Sequence, residues 1–206
     1  MTIKTRITAG AGALALAVTL AACGSADETT VPGTTESSTQ STDDGAVDAG
    51  HNDADTEFAQ MMIVHHQGAI EMADLAIEKA ASEDVRALAE RISAAQGPEI
   101  DEMTSWLQAW GEEGPQDADM GGMDHGGMDM GGMDMESAMT ELESLSGAEF
   151  DRAFLEMMIE HHRGAIEMAE TEVADGANPQ ATSLAERIID DQAAEITKME
   201  QMLQEL

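Results

Sequence analysis

From residue 53 onward, apolar side chains recur at the three- and four-residue spacing of amphipathic helices. Strand-like alternation is absent, and good helix formers dominate. The pattern predicts four helices, near 54–80, 83–110, 147–175 and 179–205. Ser82 stands where a cap for the second helix belongs, and Asp175-Gly176 closes the third. Asn178-Pro179 opens the fourth, with Asn as cap and Pro at the first helical position. Gly97-Pro98 lies inside the second helix and predicts a kink or a local break there.

The pattern repeats. At an offset of 96 residues, Phe58-Ala-Gln-Met61-Met62-Ile63-Val-His65-His66-Gln-Gly68-Ala69-Ile70-Glu71-Met72-Ala73 pairs with Phe154-Leu-Glu-Met157-Met158-Ile159-Glu-His161-His162-Arg-Gly164-Ala165-Ile166-Glu167-Met168-Ala169. The match resumes at Leu88-Ala-Glu-Arg-Ile92 against Leu184-Ala-Glu-Arg-Ile188. It then runs through Gln96, Glu99, Ile100, Met103 and Leu107 against Gln192, Glu195, Ile196, Met199 and Leu203. A duplicated helical hairpin follows. Two hairpins with apolar faces bury them most simply against each other, so the expected fold is all-α, a four-helix bundle with an internal two-fold.

Polar residues intrude on the buried faces. On a wheel of about 100° per residue, His65 shares an arc with Phe58, Met61, Met62, Ala69 and Met72. His66 falls beside Ile70, Ala73 and Ile77. His161, His162, Met157, Met158 and Met168 repeat this arrangement. In the second helix the buried arc holds Leu88, Ile92, Ala95, Met103, Trp106 and Leu107, and also Gln96 and Glu99; Gln192 and Glu195 repeat them. A carboxylate or imidazole in a core stripe is unfavourable unless it is paired or binds a cation.

The ends and the composition narrow the setting. Lys4 and Arg6 followed by the apolar run Gly10–Leu20 read as an export signal. Leu20-Ala21-Ala22-Cys23 reads as a bacterial lipobox, cleaved before the single Cys and lipidated on it. The apolar run is too short for a stable transmembrane helix. Residues 24–52 are Ser, Thr, Gly, Asp and Glu with few large apolar groups, the composition of a flexible tether. The expected organisation is a signal at 1–22, a tether at 23–52 and a bundle domain at 53–206. The domain divides into a hairpin at 53–110, a Met/Gly-rich loop at 111–136 and a hairpin at 140–206. The formal charge is −33, and −35 once Lys4 and Arg6 leave with the signal. That charge excludes nucleic acid, which is bound through Lys and Arg. One Cys excludes a disulfide framework and a cysteine zinc site.

Seventeen residues are Met. Six of them, Met120, Met123, Met128, Met130, Met133 and Met135, share a Gly-rich stretch with His125, where no core accounts for them. A di-iron bundle would carry Glu-x-x-His. Here that spacing reads Met62-x-x-His65 and Met158-x-x-His161, a soft thioether in place of a hard carboxylate. Thioether and imidazole together favour copper, Cu(I) above all, with Ag(I) as an analogue.

The repeated Phe-x₂-Met-Met-x₂-His-His-x-Gly-Ala-Ile-Glu-Met-Ala and the following Leu-Ala-x-x-Ile-x₃-Gln-x₂-Glu-Ile-x₂-Met resemble the bacterial family called domain of unknown function 305. The resemblance spans about residues 53–206. It implies a ferritin-like helical bundle, and some members are envelope proteins that bind copper and support copper resistance. It draws attention to Met62, His65, His66, Met72 and Met103, with their copies Met158, His161, His162, Met168 and Met199.

The resulting expectation is a lipid-anchored copper buffer or chaperone on the outer side of a bacterial membrane. Its candidate ligands are these His and Met residues together with Met61, Met157, Glu99, Glu195 and the loop Met and His125. Its partners would be metal ions, the membrane through Cys23, and other envelope metal-handling proteins. No catalytic triad, phosphate loop or nucleotide fingerprint is present, which favours a binding protein over an enzyme. A metal-dependent oxidoreductase and a metal-free helical interaction module remain as alternatives.

Overall fold

The computed structural model describes residues 47–115 and 135–206. They form five helices: α1 Asp53–Lys79, α2 Glu83–Trp110, α3 Met135–Ser144, α4 Gly147–Asp175 and α5 Pro179–Glu205. No strand occurs among the described residues. Helix α3 is the addition to the sequence-predicted set, and it straddles the expected boundary between loop and second hairpin.

Caps set the helix ends. Asn52 and Asp55 form a reciprocal capping box at the start of α1: Asp55 N–H donates to Asn52 Oδ1 at 3.1 Å, and Asn52 N–H donates to Asp55 Oδ2 at 2.7 Å. Asn178 accepts from the amides of Gln180 and Ala181, ahead of Pro179 at the helix start. Arg86 donates to the carbonyls of Ile77 and Ala80, satisfying the C-terminal end of α1. Lys79 does the same for α3, donating to the carbonyls of Leu142 and Glu143.

Two sequence expectations are refined. Helix α2 runs through Gly97-Pro98 without a break. Gly97 has no β-carbon to crowd the proline ring, so the residue before Pro98 keeps a helical conformation. Ser82 occupies the cap position of α2, but its side chain makes no capping hydrogen bond. Instead the amides of Ala81 and Ser82 donate to the buried Asp151 carboxylate of α4, at 2.9 and 2.8 Å. Residues 81, 82 and 151 recur 96 positions apart as 177, 178 and 55. The amides of Ala177 and Asn178 accordingly donate to Asp55 of α1, at 3.1 and 2.9 Å. Each hairpin thus holds the other's turn with one buried Asp.

Helix α1 packs on α2, α4 packs on α5, and α1 meets α4 across the centre. The clasps place the start of α1 at the end of α4, so these two helices run antiparallel. Two apolar clusters result. One holds Met72, Leu88, Ile92, Phe150, Phe154, Met158 and Met199, with Ala138 and Leu142 of α3. The other holds Phe58, Met62, Met103, Trp106, Leu184 and Ile188. The repeat offset maps most of one cluster onto the other, so a pseudo-two-fold exchanges them. Ala95, expected on the buried arc of α2, is exposed. Only a narrow stripe of α2 is covered, because α1 is its principal neighbour.

Residues 47–52, the expected end of the tether, lie against the bundle. Trp110 Nε1 and Asn178 Nδ2 donate to the Asp48 carbonyl, and the His51 ring stacks on Trp110.

Candidate metal centre

The His-bearing turns lie between the two apolar clusters. On α1, His65 and His66 fall between Ile63 and Ala69; on α2, Gln96 and Glu99 fall between Ile92 and Met103. Helices α4 and α5 repeat this. The layer is buried: His66 and His162 are wholly inaccessible, and His65, His161, Gln96 and Gln192 are nearly so.

Adjacent histidines diverge because neighbours on a helix point about 100° apart. His65 and His161 meet across the pseudo-two-fold, with ring centroids 3.6 Å apart and planes tilted by 46°. His66 and His162 turn toward their own hairpins, where Nε2 lies 2.7 Å from Glu99 Oε2 and from Glu195 Oε2 respectively. Both glutamates keep partial access to solvent. The spacing that brings His66 onto Glu99 also brings His162 onto Glu195.

Burial holds the imidazoles of His65 and His161 neutral. The His65 pKa is pushed down to about 3, first by burial and then by the neighbouring His66 and His162. His161 is held well below its ordinary value, by burial and then by His65. Neutral imidazole offers a lone pair to a metal without first releasing a proton. The Nδ1 atoms of all four histidines and Oε1 of Gln96 and Gln192 are buried without a hydrogen-bond partner. Orphaned groups of this kind cost about 1–3 kcal/mol each unless a ligand or water satisfies them.

A cavity of about 240 Å³ opens on the His pair, lined by Val64, His65, Gln67, Gly68, Glu71, Met135 and His161. Gly68 makes room for it. A β-carbon there would stand 2.5 Å from the Met135 methyl and 3.5 Å from His161 Nε2. The cavity therefore gathers two imidazoles and one thioether from α1, α4 and α3. Among the described residues no three His, Cys, Asp or Glu side chains cluster as a ligand set; the soft donor beside the His pair is the Met135 sulfur.

The remaining candidates separate. Met62 and Met103 pack in one apolar cluster, and Met72, Met157, Met158 and Met199 pack in the other. Met61 and Met168 line a different cavity with Glu57, Phe58 and Glu172. Met120, Met123, His125, Met128, Met130, Met133 and Cys23 lie outside the described residues.

Sequence reasoning missed Asp55, Asp151 and Glu172. Asp55 and Asp151 stand three residues before the matched Phe58 and Phe154, and their equivalence was the available signal. Burial opposes the Asp55 charge, but the Asn178 amide, a hydrogen bond from the Glu172 carboxyl, and the amides of Asn52 and Ala177 hold its pKa below the ordinary value. Glu172 gave no repeat signal, since its counterpart is Ala76. It is buried, and its pKa is pushed up to about 8 by burial and then by the adjacent Asp55 carboxylate.

Fold and site together define an all-α bundle of two duplicated hairpins with a buried histidine pair on its internal axis. The chain belongs to the family described as Domain of unknown function (DUF305), whose model matches residues 55–203. A DUF305 protein from Streptomyces coelicolor is 34% identical, with a TM-score of 0.66 over 74% of this chain and 93% of that one. CopM in its Cu(II)-bound form is 36% identical, with a TM-score of 0.62 over 73% of this chain and 96% of CopM. Its Cu(I)-bound form matches at 33% identity and a TM-score of 0.60, over 73% of this chain and 96% of CopM. Its silver-bound form matches at 33% and 0.59, over 73% and 95%. No curated protein matches the chain. No described helix is long and apolar enough to cross a membrane.

Proposed function

We propose that this chain is an exported, lipid-anchored copper-binding protein that buffers or chaperones the ion outside the cytoplasmic membrane. His65 and His161 are the central ligands, with Met135 as the thioether donor. His66 and His162, held by Glu99 and Glu195, border them in the same layer. The loop residues Met120, Met123, His125, Met128, Met130 and Met133 would collect the ion, and Cys23 would carry the lipid. The observation that carries this reading is the buried, neutral His65–His161 pair facing a cavity that Met135 also lines. Imidazole and thioether form a donor set suited to Cu(I). Copper and silver forms of CopM, a relative of the same fold, support the choice of metal. The reading is of a binding protein rather than an enzyme.

The test is Cu(I) titration of the chain against a competing chelator, with residues 116–134 present and deleted. In the deletion background, His65→Ala with His161→Ala should weaken the tightest site by more than about 100-fold, since outer partners of a metal site alone are worth roughly 10–100-fold. Unchanged affinity in that background would overturn the assignment.

A further inference from the structure

The pseudo-two-fold exposes an asymmetry away from the His layer. On one side of the α1–α4 contact, Phe150, Phe154, Met157, Met72 and Ala76 pack in one buried cluster with Ala138 and Leu142 of α3. The equivalent positions on the other side are Ala54, Phe58, Met61, Met168 and Glu172. No helix covers them among the described residues. They line a cavity of about 210 Å³ together with Glu57 and Thr171. The repeat has exchanged apolar groups for oxygen donors at this uncovered groove: Ala153 corresponds to Glu57, Leu75 to Thr171 and Ala76 to Glu172.

Solvent contact accounts for Glu57 and Thr171, which are exposed. It does not account for Glu172, whose side chain is 1% exposed. Its carboxyl is hydrogen-bonded to another acid, Asp55, and no basic group meets either oxygen among the described residues. The groups of α1 around it are acidic as well: Asp55 lies beside it, and Glu57 lines the same cavity. A carboxyl in such surroundings must hold a proton or be neutralised by a cation. The other donors in the cavity are the thioethers of Met61 and Met168, which select soft ions. Their two-fold mates Met157 and Met72 are buried in the cluster that α3 joins, so the same residue pair serves as packing on one side and faces a cavity on the other.

We propose that Met61, Met168 and Glu172 form a second site for a soft monovalent cation, with the two sulfurs as ligands and the carboxylate neutralising the charge. No histidine takes part, so this site stands apart from the central one. The experiment is Ag(I) titration of the chain carrying ¹³C-methyl methionine, read by NMR. The Met61 and Met168 methyl signals should shift and saturate together, while those of Met72 and Met157 stay still. Glu172→Ala places in the second repeat the residue that the first already carries as Ala76. It should weaken the Met61 and Met168 response by about tenfold or more and leave the Met135 response unchanged. Glu172→Gln, which keeps the side-chain shape, should do the same. Movement of Met135 without movement of Met61 and Met168 would overturn this site and uphold the central one. Movement of Met61 and Met168 alone would support this site and count against the central one. An undiminished Met61 and Met168 response in Glu172→Ala would overturn the role of the carboxylate, and with it the proposal.

Discussion

His65 and His161 remain neutral where an exposed imidazole would take up a proton, and that difference appears in stability. Their folded pKa values lie below the ordinary 6.5, at about 3 for His65. As pH falls through the window from 6.5 toward 3, the unfolded chain binds protons that the native state refuses, so stability falls. Denaturant unfolding of the metal-free protein at pH 7, 5 and 4 should show this loss, and His65→Gln with His161→Gln should reduce it. Glu172 works in the opposite sense. Its folded pKa of about 8 lies above the ordinary 4.5, so the native state holds a proton that the unfolded chain releases. Stability is therefore lost as pH rises from 4.5 toward 8, and Glu172→Gln should flatten that slope. Helical periodicity put all four histidines on buried arcs but could not tell which neighbour each would meet. The 100° between His65 and His66 sends one to the partner hairpin and one to Glu99, and sequence spacing within one hairpin carries no information about the other.

At the scale of the helix, the two turns depend on carboxylates supplied from outside their own hairpin. Asp151→Ala leaves the amides of Ala81 and Ser82 without their acceptor. The expected loss is about 3–6 kcal/mol, from two hydrogen bonds to a charged group, measured by urea unfolding. Asp151→Asn should recover part of it. In α2, Gly97→Ala with Pro98→Ala copies Ala193-Ala194 of the second repeat. A β-carbon at Gly97 meets nothing within 4 Å, so the change should stabilise by roughly 1–3 kcal/mol through restored backbone bonding and helix propensity. The turn between α4 and α5 was legible because Asp175-Gly176 and Asn178-Pro179 mark it chemically, whereas the Asn52 cap of α1 was not read from the sequence. Helix α3 was not legible. It is ten residues long, its buried side chains are Ala138 and Leu142, and part of its support comes from Lys79, more than fifty positions away.

At the scale of the molecule, each apolar cluster draws on both hairpins. Residues 53–110 or 147–206 alone should therefore lack helical structure by circular dichroism, and mixing the two should restore it. The duplication made the four-helix fold legible. The antiparallel pairing of α1 with α4 was not, because the same arcs would serve other arrangements and only the cross-hairpin contacts of Asp55 and Asp151 discriminate. That reciprocal clasp has a further consequence. A contact in which residue i of one unit meets residue j of the other, and j meets i, is the signature of an isologous dimer. The bundle is such a dimer joined covalently. Two separate identical hairpins would be bound to change both halves with every substitution. Fusion releases that constraint, and one chain can hold a matched histidine pair on its axis while the surfaces on either side evolve independently.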